Sequence, residues 1–184
     1  MEINSYLDIY KKLVNYDLSE KINEIAKLFL DKSISQKTVY VSGNGASAAI
    51  SSHIANDLTK ACKIRAQTFH DPALITCFGN DFGYENWIAE SINHLANERD
   101  LIILISSSGQ SKNILNASIA AANKNIDVIS LTGPNPNELL EQNSNILIKI
   151  DSNIYNVIEC IHMIILTAAI DQIKLVTLNN EEPR

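Results

Sequence analysis

The chain has 184 residues, 46% hydrophobic and 20% charged, which suits one soluble domain with a sizeable core. Acidic residues outnumber basic ones, 21 to 15, for a formal charge of -6. A nucleic-acid polyanion is therefore not expected as partner, although a small phosphorylated ligand needs only a local nest of donors. The opening MEINSYLDIYKKL has no basic start and no uninterrupted apolar stretch, so no secretory leader is expected. No apolar run reads as long enough for a membrane span; the longest, IHMIILTAAI, is interrupted by His162 and suits a buried helix. Cys62, Cys77 and Cys160 are odd in number and irregularly spaced, as expected of reduced thiols in a cytoplasmic protein.

Two amphipathic helices are predicted first, over 3–15 and 19–32. In the second, Ile22, Ile25, Leu28 and Phe29 recur at helical spacing, and Ser19 reads as its cap. An alternation follows: strand Thr38–Ser42, helix 46–61, strand Ile64–Thr68, helix 84–98, strand Leu101–Ile105 and helix 111–124. It continues with strand Asp127–Leu131, a turn at Gly133-Pro134-Asn135-Pro136, a short helix over 137–142, strand Ile146–Ile150 and a long apolar helix over 154–176. Strands that alternate with helices and carry unbroken β-branched runs imply a parallel sheet covered on both faces. The predicted class is α/β, a three-layer, doubly wound, five-stranded parallel sheet preceded by two helices. The whole chain, 1–184, reads as one domain, with residues 1–34 serving oligomerisation and 35–178 forming the α/β core.

Two strand ends carry similar loops, Ser42-Gly43-Asn44-Gly45-Ala46-Ser47 and Ser106-Ser107-Ser108-Gly109-Gln110-Ser111, each opening a helix. Helix N-termini present unpaired N–H groups and partial positive charge, serine adds donors without bulk, and glycine permits close approach. A strand-to-helix turn capped by serine accounts for either loop alone. It accounts less well for four serines within six residues, because one cap suffices. The first loop also reads G-x-G-x-x-A, and Asp71 follows the second strand as a ribose-binding acid would. A dinucleotide site, however, predicts one glycine-rich loop and leaves the serines without a task. The pair is better read as two halves of a sugar-phosphate pocket.

His53 and Asp57 lie four apart on the helix after the first loop; Glu159 and His162 lie three apart on the last helix. Such pairs can ligate zinc or move protons. Asp57 on a solvated face and His162 as a satisfied core histidine are the plainer readings of the same residues.

The segments SGNGASAAISSHIANDLTK, GNDFGYE, ISSSGQSKNI, VISLTG and NVIECIHMIIL, in this order, resemble the sugar isomerase (SIS) domain family, and within it the phosphoheptose isomerases. That branch converts sedoheptulose 7-phosphate into D-glycero-D-manno-heptose 7-phosphate for surface-carbohydrate synthesis, in lipopolysaccharide or capsule. The resemblance implies an aldose–ketose isomerase working through an enediolate. It implies that Asn44, Gly45, Ala46, Ser47, Asn80 and Asp81 line the substrate, and that Ser106, Ser107, Ser108 and Ser111 hold its phosphate. It places His53, Asp57 and Glu159 around a zinc ion, with Asp57 and Glu159 catalytic and no nucleotide cofactor. Three positions depart from the family pattern: Asp57 stands for a glutamate, Glu159 for a glutamine and Thr167 for a histidine. The resemblance further implies a homotetramer with pockets at subunit interfaces, without nucleic acid or membrane. A non-catalytic sugar-phosphate sensor or adaptor of the same family is the alternative, and a nicotinamide enzyme the third.

Overall fold

In the computed structural model, residues 2–14 and 17–180 are described, with side chains to residue 175 apart from that of Asp17. Helices α1 (Ile3–Leu13) and α2 (Asp17–Ile34) lead into β1 (Val39–Gly43), α3 (Ala46–Cys62) and β2 (Ala66–Thr68). Then come α4 (Pro72–Phe82), α5 (Trp87–Leu95), β3 (Leu101–Ser106), α6 (Lys112–Asn123) and β4 (Asp127–Thr132). Helix α7 (Glu138–Gln142), β5 (Ile146–Lys149) and α8 (Tyr155–Asn180) complete the chain. The sheet has five strands in the order β2-β1-β3-β4-β5, every pair parallel. The class, the strand count and the parallel pairing are those the alternation implied.

Strand periodicity sorts the core into two layers. Val39, Val41, Leu101, Ile103 and Ile105 face α2, α3 and α8, where they meet Ile25, Phe29, Ile54, Val157, Ile161 and Ile165. Tyr40, Ile102 and Leu104 point the other way, onto Trp87, Ile88, Ile92, Ile114, Ala117 and Leu140 of α5, α6 and α7. All six residues of β3 are buried. At about 1.5–3 kcal/mol for each large apolar side chain removed from water, this strand is the main organiser of both layers.

Several boundaries differ from the sequence reading. Helix α2 begins at Asp17, so Ser19 lies inside it and is not its cap. Residue 15, at the predicted end of the first helix, lies outside the described residues. Helix α4 was not foreseen. The Asp71-Pro72 pair starts it: the Asp71 carboxylate accepts from the N–H groups of Ala73 and Leu74 at 2.9 and 3.0 Å, and Pro72 occupies the first turn, where its missing N–H costs nothing. Asp71 is thus a helix cap, which removes the acid that a dinucleotide reading would need. Helix α5 is correspondingly shorter than the predicted 84–98. Helix α8 runs past residue 176, and its stretch Tyr155–Leu175 is, by length and composition alone, long and apolar enough to cross a membrane. That corrects the expectation from the sequence; half of the stretch is buried inside this protein, as befits a core helix. The three cysteines are free.

His162 is the one histidine placed wholly inside, with no exposed surface. Its Nε2 lies 3.2 Å from the carbonyl oxygen of Thr132, and its Nδ1 has no hydrogen-bond partner among the described residues. Burial pushes its pKa down to about 4, against a smaller upward pull from the Thr132 carbonyl. The native state therefore holds His162 neutral while the unfolded chain takes up a proton below about 6.5. Its contribution is complete above pH 6.5 and is lost as the pH falls towards 4, by on the order of 3 kcal/mol in total. Urea denaturation at pH 7 and at pH 4.5 should show that His162→Leu loses about 2 kcal/mol less between the two than the parent protein. Equal losses would contradict this placement.

Candidate functional site

The strand order reverses between β1 and β3, and the switch point of such a sheet leaves a crevice beyond the strand ends. β1 and β3 are paired directly, with Gly43 opposite Ile105. The two loops singled out in the sequence therefore emerge side by side. Between them lies a pocket of about 190 Å³ lined by Asn44, Ser47, Ile105, Ser106, Ser107, Ser108, Ser111, Tyr155 and Glu159.

The first loop is shaped by close contact. A Cβ on Gly43 would fall 2.5 Å from Ser47 Cβ and 2.9 Å from the Ile105 carbonyl oxygen, so only glycine lets α3 start this near β3. Behind the loop, Ser42 Oγ lies 3.4 Å from Nε2 of His70. Burial lowers the pKa of this half-buried histidine, with the Gly43 backbone pulling the other way.

The serine loop is a tight turn braced from outside. The Gly109 N–H donates to the Ser106 carbonyl at 2.9 Å and to Ser106 Oγ at 3.2 Å. The Gln110 N–H donates to Ser108 Oγ at 3.1 Å. Gly133 N–H donates to the Ser107 carbonyl and Asn137 N–H to that of Gly109, both at 3.0 Å. Ser111 precedes the first residue of α6, yet its hydroxyl makes no cap bond. It accepts instead from Ser106 Oγ at 3.3 Å, and Ser106 and Ser108 hydroxyls stand 3.5 Å apart. Good O–H···O bonds are 2.5–3.0 Å long, so these hydroxyls are only loosely tied to one another. They are free to turn towards an anion placed among them, at the N-terminus of a twelve-residue helix. Among the described residues, no Lys, Arg or His lines the pocket, and the donors that do are neutral.

Of the expected substrate residues, the structure brings Asn44, Ser47, Ser106, Ser107, Ser108 and Ser111 together, with the expected catalytic residue Glu159 beside them. Gly45 and Ala46 are exposed at the start of α3 and do not line the pocket. Asn80 and Asp81 do not either. They sit on the exposed side of α4, where Asn80 Nδ2 donates to Asp81 Oδ1 at 2.8 Å. They lie on a helix missing from the sequence reading, which had no means of aiming them.

His53 Nε2 and Asp57 Oδ2 form the expected pair on α3, 3.3 Å apart, with 52% and 33% of their side chains exposed. Glu159, by contrast, stands on the wall of the serine pocket. Among the described residues, no three His, Cys, Asp or Glu side chains are grouped so that they could hold a metal ion. The expected zinc set of His53, Asp57 and Glu159 is therefore not assembled within one protomer, and the donors present do not fit the ion. Thr167, where the resemblance implies a histidine, turns its hydroxyl onto its own helix, donating to the carbonyls of Met163 and Ile164 at 2.8 and 3.1 Å. His162, buried against Thr132, is not available to this pocket.

Sequence reasoning missed Tyr155, at the start of α8, and Asn113, in the first turn of α6. Tyr84 stood inside the GNDFGYE match without being singled out. Asn113 carried one signal, a second polar residue two positions past the serines.

Residues 3–133 match the SIS domain model, and the chain belongs to that family. Within it, the chain is similar to phosphoheptose isomerases. That of Sulfurimonas denitrificans is 35% identical over 131 residues, covering 68% of this chain and 67% of that protein. That of Akkermansia muciniphila is 27% identical over 168 residues, covering 88% and 87%. The solved structure of a phosphoheptose isomerase from Francisella tularensis superposes with a TM-score of 0.84 at 28% identity, covering 94% of this chain and 96% of that one.

The serine turn gives a direct test of the pocket's architecture. Gly109 has φ +64°, and a Cβ there would meet Pro136 Cα at 2.6 Å. Gly109→Ala should cost about 1–3 kcal/mol in urea denaturation and weaken inorganic phosphate binding in calorimetry. Unchanged stability and phosphate affinity would show that the turn does not shape the site.

Proposed function

We propose that this protein is an aldose–ketose isomerase of a phosphorylated sugar, and that its reaction converts sedoheptulose 7-phosphate into D-glycero-D-manno-heptose 7-phosphate. The observation that carries the reading is a single carboxylate, Glu159, on the wall of a pocket otherwise lined largely by neutral hydroxyl and amide groups. The serine hydroxyls take the phosphate, and binding of this remote group orients the reacting carbons. Glu159 then removes a proton from C1 of the ketose. The electron pair of that C–H bond forms the C1–C2 double bond, and the carbonyl electrons move to O2, giving an enediolate. Glu159 returns that proton to C2 while the O1 proton passes to O2, which delivers the aldehyde at C1 and a hydroxyl at C2. No oxidant is needed, because C1 is oxidised as C2 is reduced. Sequence reading left the base open between Asp57 and Glu159; the geometry favours Glu159, since Asp57 pairs with His53 away from the serine loop.

The similarity to phosphoheptose isomerases supports the substrate. A homotetrameric assembly is part of the proposal: the exposed His53–Asp57 pair and the exposed Asn80–Asp81 pair would serve pockets completed by a neighbouring protomer. His53 and Asp57 alone are two donors, so a zinc ion here would need further ligands from such a neighbour. The reading places the enzyme in the cytoplasm, in keeping with its free cysteines.

One observation favours a second reading. Among the described residues, Thr167 hydrogen-bonds to its own helix where the resemblance implies a second imidazole, as would suit a sugar-phosphate sensor. Steady-state assay of the purified protein with sedoheptulose 7-phosphate decides between them. The isomerase reading expects turnover that falls about 10²–10⁴-fold in Glu159→Gln with phosphate affinity unchanged. Ligand binding without turnover of any heptulose, hexulose or pentulose phosphate would assign the sensor role instead.

A further inference from the structure

One polar cluster ties the first loop to two other elements, and none of its outer members entered the functional reading above. Asn44 Oδ1 accepts from Asn113 Nδ2 at 2.8 Å and from the Tyr84 hydroxyl at 3.0 Å. In return, Asn44 Nδ2 donates to Asn113 Oδ1 at 3.0 Å. Asn113 is 3% exposed, in the first turn of α6, and Tyr84 lies in the turn between α4 and α5. A carboxamide has two acceptor lone pairs and two N–H donors. Asn44 spends both lone pairs and one N–H inside the protein, which leaves one N–H. The residue itself lines the pocket.

We propose that Asn113 and Tyr84 are positioning residues that lock the Asn44 amide so that it offers the pocket a hydrogen-bond donor and no acceptor. The ligand atom it meets is then an oxygen acting as acceptor, on the sugar part rather than the phosphate. The phosphate end is held by the serine turn, which its own bonds to Gly133 and Asn137 brace independently. This inference rests on the sugar-phosphate reading of the pocket. It adds how the two loops divide the ligand: hydroxyls and helix for the ester, a fixed amide donor for the sugar. If the oxygen met is one that gains charge during enolisation, a donor already fixed in place needs no reorganisation at that moment.

Calorimetry with inorganic phosphate and with sedoheptulose 7-phosphate, on the parent protein, Asn113→Leu and Tyr84→Phe, separates the two ends of the ligand. Phosphate affinity should stay within about twofold in both variants. Affinity for the sugar phosphate should fall about tenfold in Asn113→Leu and about threefold in Tyr84→Phe, which removes only one of the bonds. Parallel loss of both ligands would mean that the pocket has collapsed, and the positioning role would be overturned. Unchanged affinity for both, or a parent protein that binds the sugar phosphate no better than phosphate, would overturn it equally. Turnover measured on the same samples keeps the two ideas apart. A parent protein that binds the sugar phosphate without converting it contradicts the isomerase reading while leaving this inference standing.

Discussion

The parallel pairing of β1 with β3 is the constraint on which the site depends. These strands are far apart in sequence, yet the register sets Gly43 beside Ile105 and releases both loops into one crevice. Neither loop is a binding site by itself; each is a strand-to-helix turn of an ordinary kind. Their function comes from adjacency, and adjacency comes from burying LIILI between two helical layers. A substitution that weakened β3 would therefore damage the pocket without touching it.

The proposed phosphate pocket differs in its donors from basic phosphate sites. It offers hydroxyls, an amide and the end of a helix, with no cation among its described lining residues. Neutral donors bind a dianion less tightly than a lysine or arginine would, but they place no fixed positive charge next to the carboxylate proposed as the base. A serine pocket thus suits a reaction in which phosphate is a handle and a carboxylate does the proton transfer. Long, weak contacts between Ser106, Ser108 and Ser111 fit the same picture, since hydroxyls tied firmly to one another could not turn to a ligand.

Much of this was legible in the sequence because it depends on local pattern. Strand–helix alternation gave the sheet, and the two loops gave the pocket's edges. The long helix bearing Glu159 followed from its apolar run. What stayed hidden depends on contacts between segments distant in the chain. Asn113 becomes meaningful only when α6 is docked beside the first loop, where its amide finds Asn44. Helix α4 was hidden for a different reason: Asp71 invited a functional reading, and the cap it forms with Pro72 was passed over. Asn80 and Asp81 lie on that same helix, so the sequence could not show that they stand outside this pocket. The zinc trio came from the resemblance, and His53, Asp57 and Glu159 are not grouped among the described residues because the first two lie on α3 and the third on α8. The long apolar helix likewise met the length for a membrane span because composition cannot distinguish lipid from the interior of an α/β core.

The account stands or falls on where the two ends of the ligand lie. A crystal of the parent protein soaked with sedoheptulose 7-phosphate should show the phosphorus among Ser106, Ser108 and Ser111, with C1 and C2 of the sugar within about 3–4 Å of the Glu159 carboxylate. A phosphate bound elsewhere, or a sugar chain directed away from Glu159, would contradict it.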